Sequence, residues 1–554
     1  MSEREVSNDE RDEELRWRLE VLKSKLDEGK IHIAEHLIEG VQESLANVRY
    51  RRDGLIDLST VDGRVRSMAL MSAMMHDRDQ KKSSAPLEDV TNLYFELIEK
   101  NLGFIAEAAK DNKLNAHEFG VAISRSPQHV GDISPQIPAF LDMISQFWEE
   151  VGDATHYHIQ DLNCTKAVYG GDLFPSYQRN IASSAGLYID TIVLSDPFLQ
   201  SREVILRSTP DMQLYYLAKH TINVLGYRSL ALARLDSPII IISPFKSSID
   251  DDERDFIKRL AEPDALLHAG KIFGRSFENF DELMHFTDPL RTVEDAVSKV
   301  ANKERLLFDS DWTGPLDQQL ARIIKTHGRM LPSGGHPGQT VALQCLTRMM
   351  QATDILIKSR YLHGTPIIDA PTSWKYFNWK LEYNSAITSD ATHLHMLKGL
   401  QRVAETDMEW LGNIPSEALI DMRKQGAFDE IRHMLSSGVK EISEIKPDAF
   451  FRSSDRIVSN IQDAFSEHQN KMREIKSKGW RFAGKDLGSW VATGAIEIAA
   501  IATGTPSFGV GAFVVNQLID APKLKDIPAK FRDLKNAHVE LKKSPMGLLF
   551  KHVN

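Results

Sequence analysis

Near the end of this chain runs a 33-residue tract, Leu487 to Ile519, whose single charge is Glu497 and whose flanks are rich in lysine and arginine. No other stretch departs so far from the composition of a water-exposed segment. A helix rises about 1.5 Å per residue, and the hydrocarbon core of a bilayer is about 30 Å thick. Thr505-Pro506-Ser507 divides the tract into limbs of 17 and 12 residues, which as helices would rise roughly 25 Å and 18 Å. Neither limb spans a bilayer alone, and Gly504 with Pro506 interrupts a continuous helix. The tract is therefore expected to form an apolar helical hairpin.

Its surroundings define what such a hairpin would meet. Lys471, Arg473, Lys476, Lys478, Arg481 and Lys485 precede it, and Lys523, Lys525, Lys530, Arg532 and Lys535 follow. Basic flanks on both sides hold both ends on one side of a membrane, so the expectation for residues 471–535 is a re-entrant or interfacial hairpin on an anionic surface. Gly488, Ala492, Gly494, Ala495, Ala499 and Ala502 permit close helix approach in lipid or in water. The same features suit a hairpin buried in the protein with Glu497 paired to a base, or one that docks on a protein partner.

Charge is divided along the chain. Residues 471–554 hold 14 Lys/Arg against 7 Asp/Glu, a balance of +7, which leaves residues 1–470 at −18 within the total of −11. The tail alone is tuned for an anionic partner. Nucleic acid is not the expected one, since residues 521–554 offer only Phe531 and Phe550 as stacking aromatics. The two cysteines, Cys164 and Cys345, stand outside any thiolate-zinc spacing and fit a reducing compartment. Met1 to Lys30 is dense in charge and lacks the apolar core of a secretory signal, so the expected location is cytoplasmic, with peripheral membrane association through the tail.

The remaining chain reads as mainly α-helical and multi-domain. Leu15, Leu19, Leu22 and Leu26 alternate spacings of four and three, a helical seam with a break near Gly29. Further helices are predicted over Val61–His76 and Leu87–Lys110, with Arg78–Pro86 as a loop. Leu187–Leu194 and Ile239–Ile242 are β-branched runs closed by Ser-Asp-Pro and Ser-Pro, and a helix over Asp211–Ala233 between them predicts one βαβ unit. From Asp250 to Asn470 helical patterns return: Asp251–Ala261, Thr292–Leu306, Leu316–His327, Gln339–Lys358, Thr392–Trp410, Pro415–Leu435 and Asp448–Ile475. The expected segments are 1–115 all-α, 116–245 mixed α/β, 246–470 helical, and 471–554 a basic module carrying the hairpin.

Candidate chemistry is sparse. His156 and His158, followed by Asp161, would project both imidazoles to one face of a strand and are the candidate metal ligands. A second His-x-His pair, His393/His395, falls on a predicted helix, where spacing two separates the rings by about 200°. Leu306-Leu307-Phe308-Asp309-Ser310-Asp311-Trp312-Thr313 resembles motif I of the haloacid dehalogenase-like phosphohydrolases. That resemblance covers eight residues and implies Asp309 as nucleophile and Asp311 as acid/base, with Mg²⁺ assisting. Helix capping by Asp311 or Thr313 ahead of Pro315 explains the same string. His76-Asp77, with His32 or His36 upstream, resembles the pair of HD-type phosphohydrolases, and as a helix end it needs no catalytic reading. Ser333-Gly334-Gly335-His336-Pro337-Gly338 lacks phosphate-loop spacing.

These readings favour a non-catalytic interaction protein with a protein partner, of the layout expected for a stress or defence effector whose apolar hairpin engages a membrane or a second protein. The alternative is a metal-dependent phosphohydrolase-like enzyme centred on Asp309/Asp311, or on a metal site at His156/His158. Mg²⁺ or Zn²⁺ belongs to that alternative alone.

Overall fold

A computed structural model of the protein describes residues 8–171, 174–177, 180–245, 251–308, 314–327, 336–384, 391–406, 408–445, 450–477, 481–482 and 485–486. The chain is mainly α-helical, as its periodicity predicts, with a small parallel sheet. The hairpin tract 487–519 lies outside the described residues. Among those described, no helix is long and apolar enough to cross a membrane.

Seven helices open the chain: α1 Asn8–Asp27, α2 Glu35–Ala46, α3 Gly63–Ser84, α4 Leu87–Asp111, α5 Ala116–Ser124, α6 Pro127–Ile133 and α7 Ile137–Asp161. The described residues divide into two compact units, one drawn from Met1–Leu93 and Gln146–Leu162, the other from Tyr94–Ser145 and Asn163–Asn554. In the first, the predicted break falls where expected. Gly29 holds φ +67°, a left-handed turn that a side chain resists, between α1 and α2. Leu19 and Leu22 of the α1 seam bury against Val61, Val65 and Ala69, with Leu15 and Leu26 packed beside them. Asp62 caps α3 by accepting from the Val65 N–H at 2.9 Å.

The loop read over Arg78–Pro86 is instead the last two turns of α3. Its polarity is that of a charged helix face: Arg78 and Lys82 pair with Asp161, and Lys81 with Asp153 at 3.0 Å and Asp77 at 3.3 Å. The helix stops only at Ala85, the residue before Pro86, where the α conformation is disfavoured.

The second unit carries the sheet. Its strands are β1 Lys166–Tyr169, β2 Thr191–Ser195, β3 Ile240–Ser243 and β4 Thr365–Ile367, all parallel in the order β3-β2-β1-β4 and buried throughout. Between β1 and β3 run α8 Ile181–Ala185, α9 Pro197–Gln200, α10 Arg202–Arg207, α11 Pro210–Gly226 and α12 Arg228–Ala231. The predicted βαβ unit is therefore β2–β3 with α11 and α12 in the connection. Two strands escaped the sequence reading. β1 is four residues long and starts on a lysine. β4 is Thr-Pro-Ile, and its place at a sheet edge is what lets Pro366 occur there without losing a ladder hydrogen bond. Because β4 falls 120 residues beyond β3, the sheet is not confined to 116–245.

The remaining helices are α13 Asp251–Phe273, α14 Phe280–Thr287, α15 Val293–Lys299, α16 Leu316–His327, α17 Pro337–Tyr361, α18 Pro371–Asn384, α19 Ala391–Thr406, α20 Ser416–Lys424, α21 Phe428–Ser436, α22 Val439–Ile445 and α23 Phe450–Ser477. The single helix predicted over Pro415–Leu435 is broken into α20 and α21 at Gly426, which adopts φ +69°. One core joins Ile272 and Phe273 of α13 to Leu320 of α16 and Val341 and Cys345 of α17. A second packs Ala261 and Ala265 against Met349 and Tyr376.

Candidate functional site

Parallel strands leave their carboxyl ends on one edge, and a crevice opens where successive crossovers turn opposite ways. Here the chain steps outward from β1 to β2 to β3 and then returns to the other flank of β1 as β4, so that point lies between β1 and β4. The β1 end is Tyr169-Gly170-Gly171. The Gly170 N–H donates to the Ile367 carbonyl at 3.1 Å, extending the ladder one step. A Cβ on Gly170 would stand 2.4 Å from Ile355 Cδ1, and Gly171 holds φ +76°. Two glycines are therefore what lets this turn run close over α17.

Opposite them, β4 leads through Asp369 into α18. The Tyr169 hydroxyl donates to Asp369 Oδ1 at 2.6 Å, and the Ser373 hydroxyl donates to the Gly171 carbonyl. Trp374, in the first turn of α18, presents its ring to Lys398 of α19, whose Nζ stands 4.7 Å from the ring centroid. Lys398 makes no hydrogen bond or salt bridge to a described residue. Burial draws its amine below the usual lysine range, against the opposing pull of Glu405 and Asp369 and with the help of Arg402. Asp369, Trp374 and Lys398 all remain partly open to solvent.

Beyond the Gly170-Gly171 turn the chain enters an aromatic cluster. Phe174 and Tyr177 meet the Tyr227 ring edge-on at 5.8 Å and 5.4 Å. The Tyr227 hydroxyl donates to the Ser176 carbonyl and accepts from the Ile181 N–H, both at 3.3 Å. Burial pushes that phenol well above its ordinary range, so it stays neutral. Chemically, the crevice offers one cation without an ion pair to a described residue, one carboxylate already accepting from a tyrosine, and an indole that also packs on Phe377 and Phe450 at 5.9 Å and 5.1 Å. It is suited to holding an anionic group, with Asp369 able to accept from a neighbouring hydroxyl or amine.

Sequence reasoning did not single out Tyr169, Asp369 or Lys398. The available signal was the Gly170-Gly171 pair directly after a short apolar run. The acidic counterpart at the end of β2, Asp196, is fully buried and caps α9 by accepting from the Phe198 and Leu199 N–H groups at 2.8 Å and 2.9 Å.

The residues nominated from sequence lie elsewhere. His156, His158 and Asp161 are on α7, so the strand that would align the two imidazoles is not formed, and helical geometry turns them about 200° apart. His158 Nε2 donates to the Ala85 and Lys82 carbonyls at 3.0 Å and 3.2 Å. Asp161 is engaged by Arg78 and Lys82; burial raises its carboxyl, but those two cations outweigh it and leave it below the usual range. Among the described residues, no group of three or more His, Cys, Asp or Glu side chains is arranged to hold a metal ion.

Asp309 and Asp311 lie outside the described residues. The apolar run before them, Leu306–Phe308, is irregular and is not part of the sheet. Its carbonyls accept from side chains instead, Leu307 from Gln344 at 2.7 Å and Phe308 from Arg348 at 2.9 Å. The strand that the phosphohydrolase resemblance implies is thus not formed there. His393 and His395 do sit on a helix, bonded to the Tyr188 hydroxyl at 2.7 Å and the Ser453 hydroxyl at 2.8 Å. His76 is mid-helix in α3, not at its end, and packs edge-on to Trp17. His336 precedes α17 and reaches Asp288 at 3.3 Å, while Ser333–Gly335 lie outside the described residues. Burial pushes the Cys345 thiol up to about 12, which leaves it an inert core residue. Comparison with protein-family models, with curated proteins and with solved structures finds no match to this chain.

Proposed function

We propose that this is a non-catalytic, ligand-responsive interaction protein. Its α/β crevice takes a small anionic ligand, and its basic, apolar tail engages an anionic membrane surface or a protein partner on the cytosolic side. The observation that carries the reading is Lys398, a partly buried cation that makes no salt bridge to a described residue, at the point where the β1/β4 crossovers diverge. A desolvated ammonium beside an indole face favours a ligand that brings its own negative charge and a planar group, such as a nucleotide.

The tail half of the proposal rests on charge and composition: +7 in residues 471–554 around an apolar tract, against −18 in the rest. A helix-borne apolar surface adds support for a protein partner. Leu70, Met71, Met74 and Met75 of α3 are exposed on the side opposite Val65, Ala69 and Ser72, which are buried. Exposed methionines suit adaptable contacts.

The test of the crevice is calorimetric titration of the full chain with mono- and dinucleotides, comparing wild type with Lys398→Ala and Asp369→Asn. Loss of one charge-assisted hydrogen bond should weaken an anionic ligand by about 10-fold to 100-fold. A panel in which nothing binds, or a ligand bound equally by Lys398→Ala, refutes the crevice reading. For the tail, co-sedimentation with anionic vesicles is compared between wild type and a full-length variant in which Lys523, Lys525 and Lys530 are replaced by Glu. Equal sedimentation of the two removes the membrane arm.

A further inference from the structure

The first unit contains a groove of about 560 Å³ between α1 and α3, which the crevice proposal does not use. Its α1 wall runs from Trp17 to Lys25, about 12 Å along the helix, with Glu28 and Lys30 just past its end, and its α3 wall from His76 to Ser83, about 10 Å. The groove is open along its length, with Trp17 46 % exposed and Glu20, Ser24 and Glu28 also exposed. An elongated, open trough of this size fits a segment of extended chain better than an enclosed small molecule.

Its charges have already been largely cancelled from within. Lys25 pairs with Asp79 at 2.9 Å, and Lys30 with Glu28 at 2.6 Å. Glu20 is left as the one lining carboxylate with no hydrogen bond or ion pair to a described residue. It lies three residues from Trp17, hence on the same helical face. The Trp17 ring meets His76 edge-on, with ring centres 6.4 Å apart and planes at 68°, an arrangement that leaves an indole face open. An exposed indole beside an uncompensated carboxylate is the pairing that recognises an organic cation: the ring's electron-rich face and the anion attract the same charge.

We propose that this groove binds a basic peptide segment of a partner protein, with an arginine guanidinium stacked on Trp17 and paired with Glu20. Arginine fits better than lysine because its planar fork can lie flat on the ring while donating two hydrogen bonds in its own plane to the carboxylate. The carboxylate and indole supply binding at the arginine, and the remaining trough accommodates the flanking backbone.

The experiment titrates the full chain with an arginine-rich nonapeptide and with the same peptide carrying glutamine in place of arginine, at low salt, by calorimetry. Wild type should bind the arginine peptide and not the glutamine one. Trp17→Leu and Glu20→Gln should each weaken binding by about 2-fold to 30-fold, the range of a cation–π or exposed charge contribution. Because both side chains are exposed, neither variant should shift the melting temperature, which is recorded alongside. Failure of the arginine peptide to bind overturns the proposal, as does equal binding by all three proteins. Free arginine amide or tetramethylammonium binding as tightly as the peptide also overturns it, since that outcome identifies a small-cation site.

Discussion

Asp264 of α13 and Lys380 of α18 form an ion pair at 2.5 Å with side chains only 7 % and 5 % exposed. Two charges held that far from water are stable only together, because the attraction between them offsets the desolvation of each. Replacing Lys380 with Met removes the attraction and leaves the Asp264 carboxylate buried without it. The expected cost is about 3–5 kcal/mol. At roughly 2–4 °C per kcal/mol for a body of 150–250 residues, that is a fall of about 6–20 °C, with the lower end appropriate to a unit larger than this range. Replacing both residues together, Asp264→Leu with Lys380→Met, removes the stranded charge and fills the site with apolar atoms of similar volume. That double variant should lie within a few kcal/mol of wild type, about neutral to 4 kcal/mol more stable. The assay is thermal unfolding by circular dichroism with a matched urea titration, run on wild type, both single variants and the double variant as a mutant cycle. Additive single-variant losses, giving a double variant as unstable as their sum, would show that the two charges do not act as a pair and would refute the reasoning.

Two further outcomes follow from other parts of the same unit. Burial depresses His220 to about 3 and His268 to about 4, so both are neutral in the fold and bind protons on unfolding. Stability is then complete above the unfolded pKa near 6.5 and is lost as pH falls towards the folded values, by about 2 kcal/mol per histidine between pH 6.5 and 5. Urea midpoints at pH 7 and pH 5 should show that loss, and a His220→Leu variant whose midpoint keeps the full wild-type slope would contradict it. At the crevice, Gly171→Ala should cost about 1–3 kcal/mol through its left-handed backbone, and Gly170→Ala should force Ile355 aside. Unchanged melting of both variants would mean that the turn after β1 is not held as described.

Much of the architecture was legible because helices advertise themselves locally. The leucine seam of α1, the break at Gly29, and the cores of α4, α16, α17, α19 and α23 all follow from periodicity and turn residues within a few positions of each other. The errors arose where one residue type serves two structures. The Arg78–Ser84 stretch is polar because it pairs with Asp153 and Asp161, more than 70 residues away, and nothing nearby distinguishes that from a loop. Likewise Pro366 argues against a strand until the sheet order places β4 at an edge.

The candidate crevice was less legible still. Tyr169 and Asp369 are 200 residues apart and share one hydrogen bond, and Lys398 comes from a third element. None carries a motif, since a site built from single residues on separate elements leaves no spacing to read. The nominated His156/His158 pair shows the converse: the spacing was present, but the chain there is helical, and helical geometry separates what a strand would align.

What the sequence alone determined is the helical character of the chain, its β2–β3 unit, and the division between an acidic body and a basic tail, because each is a property of residues close together along the chain. Tertiary structure decided which charges are spent in ion pairs and which remain, as with Asp161 held by Arg78 and Lys82 while Lys398 and Glu20 make no ion pair with a described residue. A charge's availability depends on what the fold brings to within about 4 Å of it, and that is a relation among distant residues that no local pattern encodes.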